Sequence, residues 1–309
     1  MRIVTSGKRY LDIDGYAAII AYAELLQKQG HKATAVSTSI WNESIPPSLR
    51  ALQAPLITHY HPTSSDTFTV VDVSDPKYLD PIVDISRVVE VIDHHLGQET
   101  KWADRHQVNL DIEFIGAACT QIFERWQQAG RLPEMTKATA QLLAAGILDN
   151  TLNFKAGVTT HRDRQAYAEL ARHTGIPADW PAKYFSECQQ AITADVRTSM
   201  ENDTKILHFE TINTELGVGQ LVIWDAHDIL ESHLDTIETV MSEVRAEWFM
   251  NLVSVEEGSS YLVAKDQRIK NWLSGLLKLK FNGDIAKAGR LWLRKEIIKA
   301  DLTNIAKSN

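Results

Sequence analysis

The sequence predicts an α/β protein, with an N-terminal domain built on a mainly parallel sheet flanked by helices and a smaller α+β C-terminal domain. Three observations carry this. β-Branched runs at residues 2–5, 67–71 and 88–92 suit buried strands. Long alanine- and leucine-rich stretches with helical spacing lie among them. Beyond about residue 202, strand and helix signals mix without strict alternation, which marks an α+β unit. The expected division is 1–192, a polar linker at 193–201, and 202–309.

Taken in order, residues 2–5 form a strand and 16–28 a helix, so Asp12 and Asp14 sit in the loop between them. Two carboxylates at i and i+2 repel unless a cation lies between them. Asp14 alone reads as a cap for that helix. A short strand at 32–37 precedes an irregular region in which His59 and His61 read as surface. The strand at 67–71 ends in Asp72, and the strand at 88–92 ends in Asp93-His94-His95, with Gly97 turning the chain away. Ligands of open α/β sheets bind at that end of the strands, and acids and imidazoles there are better metal ligands than core formers. Helices follow at 116–128 and 135–148, the second delivering Asp149 at its tip. Further helices are expected at 162–173, where Thr160 and Asp163 suit a cap, and at 180–192. The second domain reads as strands at 203–207 and 217–224, a helix at 232–246, paired strands at 248–255 and 260–264, and a helix at 269–279. It ends in a strand-like run at 290–298 carrying adjacent cations.

Composition bounds the function. The chain has 309 residues, of which 44% are hydrophobic and 23% charged, as in ordinary globular proteins. A net charge of −8 argues against a general polyanion binder or a stable nucleic-acid complex. Two cysteines exclude a disulfide scaffold and suit a reducing cytosol. No signal-peptide core or stretch of ~20 apolar residues is present, so a cytoplasmic protein without a membrane segment is expected. His31, His106, His161, His173, His208, His227 and His233 lack carboxylate partners at ligand spacing and read as surface.

The ordered series Asp12/Asp14, Asp72, Asp93-His94-His95 and Asp149, followed by Lys205 and Arg294-Lys295, resembles the DHH-type phosphoesterases with the second type of DHH-associated C-terminal domain. That group holds the manganese-dependent inorganic pyrophosphatases, the exopolyphosphatases and the prune-like proteins. The resemblance implies a phosphoanhydride hydrolase that takes one or two Mn²⁺ or Mg²⁺ ions and a small phosphorylated substrate. Asp12, Asp14, Asp72, His94 and Asp149 would be metal ligands. Asp72 would bridge, Asp93 would orient a histidine, and His95 would contact phosphate. Lys205, Arg294 and Lys295 would bind phosphate oxygens, and a homodimer is one option left open.

The chain departs from the pattern at three places. Lys8 stands where pyrophosphatases place a metal-binding histidine, and a protonated ammonium cannot ligate. Either Lys8 supplies a fixed charge near substrate, or it points to solvent. Val73 replaces a histidine, and Leu293 and Glu296 alter the cationic Ser-Arg-Lys-Lys motif. Two alternatives stand beside the hydrolase: a phosphodiesterase acting on short oligonucleotides or cyclic dinucleotides, and a non-catalytic binder of phosphate ligands.

Overall fold

A computed structural model describes residues 1–8 and 10–308. Two compact units divide the chain, Met1–Tyr184 and Phe185–Asn309.

The first unit begins with β1 (Arg2–Thr5), α1 (Ile13–Lys28), β2 (Ala33–Ala35) and the one-turn α2 (Pro47–Arg50). It continues with β3 (Thr67–Val71), β4 (Val88–Asp93), β5 (Asn109–Ile112), α3 (Ala118–Gln128), α4 (Lys137–Asn150) and α5 (His161–Thr174). The five strands lie in the order β2-β1-β3-β4-β5. All four strand pairings are parallel. The chain steps from β1 outward to β2 and then returns to β1's other side with β3, so the direction of winding reverses between β1 and β3. Connections leave the two strands on opposite sides there and open a crevice at their carboxyl ends. Helix α1 is buried along nearly its whole length from Ile13 to Leu26. Its alanines and branched residues leave no polar stripe, as expected of a helix covered all round. On one side of the sheet, Ile3, Phe68, Val70, Val88 and Val91 pack with Trp102 and Val108.

Helix α6 (Trp180–Ala194) carries the boundary between the units, and α7 (Val196–Asn202) follows at once. The polar stretch read as a linker is therefore mostly helical: Asp195 caps α7 by accepting from the Thr198 amide at 3.0 Å, and Val196 and Met200 bury its apolar side. The second unit then runs β6 (Thr204–Phe209), β7 (Thr214–Ile223), α8 (Ala226–Val244), β8 (Trp248–Ser254), β9 (Ser259–Val263), α9 (Gln267–Leu277), β10 (Phe281–Asn282), β11 (Ile285–Lys287) and α10 (Arg294–Ser308). Its six-stranded sheet has the order β10-β11-β9-β8-β7-β6. Only β7 and β8 pair in parallel, joined through α8. β8 is buried at every residue, because Trp248, Met250 and Leu252 pack with α7 and α8 while Phe249 packs with α9 and α10.

One expectation about the second unit needs correction. The run at 290–298 is not a strand. The Ser260 amide of β9 donates to the Arg290 carbonyl at 3.1 Å, but beyond it Asn251 Nδ2 donates to the Trp292 carbonyl at 2.6 Å and Ser260 Oγ accepts from the Trp292 amide at 2.9 Å, so side chains satisfy the Trp292 backbone in place of a strand ladder. Glu296 accepts from the Leu293 amide at 2.9 Å and starts α10, placing Arg294 and Lys295 in its first turn. The short strands β5, β10 and β11 gave no usable sequence signal. Among the described residues no helix is long and apolar enough to cross a membrane.

Candidate metal centre

The loop after β1 enters α1 through Asp12, whose Oδ1 accepts from the Gly15 amide at 2.9 Å. Ser44 Oγ takes the neighbouring Ile13 amide at 2.9 Å. Asp12, not Asp14, is thus the cap of α1. Asp14 is buried in the first turn of α1 and serves a different helix. Its Oδ1 accepts from the Cys119 amide at 2.8 Å and its Oδ2 from the Ala118 amide at 2.9 Å. It supplies the cap that Ala117, at the start of α3, cannot. Asn150 donates to the same Oδ2.

Asp72 follows β3 immediately and has φ of 63°, the left-handed region that non-glycine residues seldom occupy. Such a conformation costs on the order of 1 kcal/mol and gathers at functional sites. The Asp72 amide stays tied to the Ile92 carbonyl of β4 at 2.8 Å, so the next strand holds the twisted residue in place.

At the end of β4, Asp93 is fully buried and its Oδ1 organises both histidines. It accepts from the His94 amide at 2.8 Å, the His95 amide at 3.2 Å and His95 Nδ1 at 2.8 Å. Nδ1 of His94 donates to the Ile115 carbonyl at 3.2 Å. A carbonyl only accepts, so the neutral ring carries its proton there and turns the Nε2 lone pair inward. That Nε2 lies 3.3 Å from Asp72 Oδ1 and 3.7 Å from Asp14 Oδ2.

Asp149, in the last turn of α4, accepts from the Tyr184 hydroxyl at 2.9 Å, and that hydroxyl is also 2.9 Å from the Ser44 carbonyl. Helix α4 comes close to α1 at Gly146. A Cβ placed there would stand 2.4 Å from Cys119 Sγ and 3.2 Å from Asp14 Cα.

The electrostatics follow from the crowding. Burial raises the Asp72 carboxyl far above the usual range, and Asp14 and Asp12 add to it. Burial and Asp14 raise Asp12. Burial pushes Asp149 up to about 7 against the Tyr184 hydrogen bond. Asp93 goes the other way: despite burial, the His95 hydrogen bond and charge hold it low. Burial disfavours the His95 imidazolium, but the bond from Asp93 wins and raises its pKa. The His95 side chain is 57% exposed, so this charge faces outward. Burial and Asp14 raise the Cys119 thiol, which makes it inert.

The residues fit a divalent cation. Asp72 Oδ1 and His94 Nε2 are buried, point at one another and have no hydrogen-bond partner. Two facing lone pairs are costly unless a cation lies between them. Ligand atoms of Asp72, Asp93, His94 and His95 all fall within 4.8 Å of one another. Asp14 reaches that group at His94, and the charges of Asp14 and Asp12 act on both Asp72 and Asp149. Oxygen donors with one or two imidazoles suit Mn²⁺ or Mg²⁺.

The remaining sequence candidates lie elsewhere. Lys8 is exposed, and its amide donates to the Tyr78 carbonyl at 2.8 Å. In the second unit Arg294 is 9% exposed. Its guanidinium pairs with Asp203 at 2.5 Å and donates to the Val218 carbonyl at 3.3 Å. Val218 is the register partner of Lys205, so Arg294 and Lys205 belong to one corner of that sheet. Lys205 and Lys295 are exposed. Two surface histidines do have carboxylate neighbours: His227 lies 3.4 Å from Glu257 and His208 3.6 Å from Glu210. Sequence reasoning missed Tyr184, Asn150 and the Ile115 carbonyl. None carries a local signal, because each acts through a partner 21 or more residues away.

The model of the DHH family N-terminal domain matches residues 2–147. The chain is 26% identical to a "Probable manganese-dependent inorganic pyrophosphatase" of Bacillus cereus, across 81% of this chain and 80% of that one. It is 21% identical to the protein of the same name from Lactobacillus acidophilus, across 96% of each. A solved Methanococcus jannaschii structure, provisionally described as a family II inorganic pyrophosphatase, shares the fold. Its TM-score is 0.70 at 18% identity, with 98% of this chain and all of that one covered. An exopolyphosphatase-related protein from Bacteroides fragilis follows at TM-score 0.52 and 12% identity, across 99% and 92%. Residues 2–147, which lie within the first unit, are thus similar to the N-terminal domain of the DHH family.

Proposed function

We propose that this chain is a divalent-metal-dependent hydrolase of phosphoanhydride bonds in pyrophosphate and short polyphosphates, including those of nucleosides. The observation that carries it is the pair Asp72 Oδ1 and His94 Nε2, buried 3.3 Å apart and unsatisfied, with Asp14 Oδ2 3.7 Å from the same nitrogen. The manganese dependence named for its relatives supports the same reading.

Asp12, Asp14, Asp72, His94 and Asp149 are assigned to hold Mn²⁺ or Mg²⁺. When bound, such ions provide a nucleophilic hydroxide at neutral pH and neutralise phosphoryl oxygens. The chain's own contribution is geometry and charge. Ile115 and Asp93 fix the two imidazoles. His95, its Nδ1 tied to Asp93, presents Nε2 outward and offers a proton and positive charge to phosphate oxygens. Tyr184 orients Asp149. Lys205, Arg294 and Lys295 are assigned to phosphate contact. Arg294, already bound to Asp203, would also hold the first turn of α10 in place. Exposed Lys8 is assigned to the anionic substrate.

The test is phosphate release from pyrophosphate, tripolyphosphate and long-chain polyphosphate, and mononucleotide release from a dinucleotide, each with Mn²⁺, Mg²⁺ or Co²⁺. Release from the first two is expected. Release from the dinucleotide alone would favour a phosphodiesterase, and no release from any would favour a binding protein.

A further inference from the structure

Asp163 lies outside the ligand set, yet two of its contacts reach the segment that aims two ligands. It is fully buried at the start of α5, where it completes a capping box with Thr160. Capping requires only the Thr160 side of the residue. Asp163 also accepts from the Gly116 amide at 3.1 Å through Oδ2 and from the Thr120 hydroxyl at 2.6 Å through Oδ1. Those two donors bracket residues 116–120. The Ile115 carbonyl just before them fixes the tautomer of His94, and the Ala118 and Cys119 amides within them hold both oxygens of Asp14. Contact is close enough to demand glycine at 116, since a Cβ there would stand 2.6 Å from Asp163 Oδ2.

We propose that Asp163 is a positioning residue for the metal centre: by clamping Gly116 and Thr120 it sets where the Ile115 carbonyl and the Ala118 and Cys119 amides stand, and so where His94 Nε2 and Asp14 point. The inference rests on the metal-binding reading above. Partners one step behind metal ligands typically govern affinity by 10–100-fold.

The experiment measures Mn²⁺ affinity of the full chain by calorimetric titration, together with thermal stability of the metal-free protein. Thr160→Ala weakens the α5 cap but leaves the clamp, so it lowers stability with little change in Mn²⁺ affinity. Thr120→Val removes one arm of the clamp and keeps the side-chain shape, so affinity falls about 10-fold or more. Thr120→Ser keeps the hydroxyl and restores affinity. Asp163→Asn, which sets an amide against donors, loses at least as much affinity as Thr120→Val. Wild-type affinity in Thr120→Val and Asp163→Asn would overturn the proposal, as would affinity losses in all four variants that merely follow their stability. If the unaltered chain took no Mn²⁺, the metal-binding reading itself would fall.

Discussion

The first unit buries two clusters of acidic side chains, and they are solved in opposite ways. Glu90, in the middle of β4, accepts from the Tyr22 hydroxyl at 2.7 Å, from Arg125 at 3.1 Å and from Asn109 at 3.2 Å, with Arg2 at 3.7 Å. Every charge there is answered within the chain. Three residues further along the same strand, Asp93 opens the other cluster, where Asp12, Asp14, Asp72 and Asp149 meet backbone amides, Asn150, Tyr184 and His94. In this second cluster burial raises the carboxyls of Asp12, Asp72 and Asp149. One acid is finished by folding, and the others are finished only by something added.

That contrast is breakable. Asp72→Asn removes the most strongly perturbed acid, so Mn²⁺-dependent phosphate release should vanish while the metal-free protein melts at a higher temperature; calorimetry with and without Mn²⁺ reads both. Glu90→Ala should do the reverse. Leaving Arg125 and Tyr22 without their partner costs about 3 kcal/mol, seen in denaturant unfolding, with Mn²⁺ affinity kept. His95→Gln should lower turnover about 100-fold with metal affinity nearly unchanged, measured by steady-state kinetics.

The smallest effect is in the pH dependence. Asp149 rises from its ordinary 3.8 to about 7, and Asp12 and Asp72 rise with it. Between about pH 4 and 7 the folded chain therefore binds more protons than the unfolded one, and metal-free stability falls as pH rises. Acids held low, such as Asp93, have already made their contribution above pH 4. Melting curves should show this decline, with stabilisation by Mn²⁺ larger at pH 7 than at pH 5. A flat metal-free profile would erase the distinction between the two clusters.

What the sequence disclosed follows from range. Asp72, Asp93 and Asp149 end strong periodic runs, so their places at element tips were legible from neighbours alone. The strand β3 was read at its observed limits, 67–71. The hairpin Phe281–Lys287 was not, because two strands of two and three residues hold too little pattern. The run 290–298 misled for another reason. The Trp292 backbone within it is held by the Asn251 and Ser260 side chains, contacts that hydropathy does not encode. Asp14 was seen as a cap, but its helix lies 104 residues away, at Ala118. Sequence shows which residues are unusual; only packing shows whom they serve.

Gly146 closes the account of the site. With a hydrogen where every other residue has carbon, α4 rests almost directly on the backbone of Asp14, three residues before its own Asp149. The gap between those two negative groups is therefore set like a machinist's shim, by the thickness of one missing methyl. Gly146→Ala would press on Cys119 Sγ and on Asp14 itself, whose Oδ1 would stand 3.3 Å from the new carbon, and selectivity between small and large ions is the property such a change would tune first.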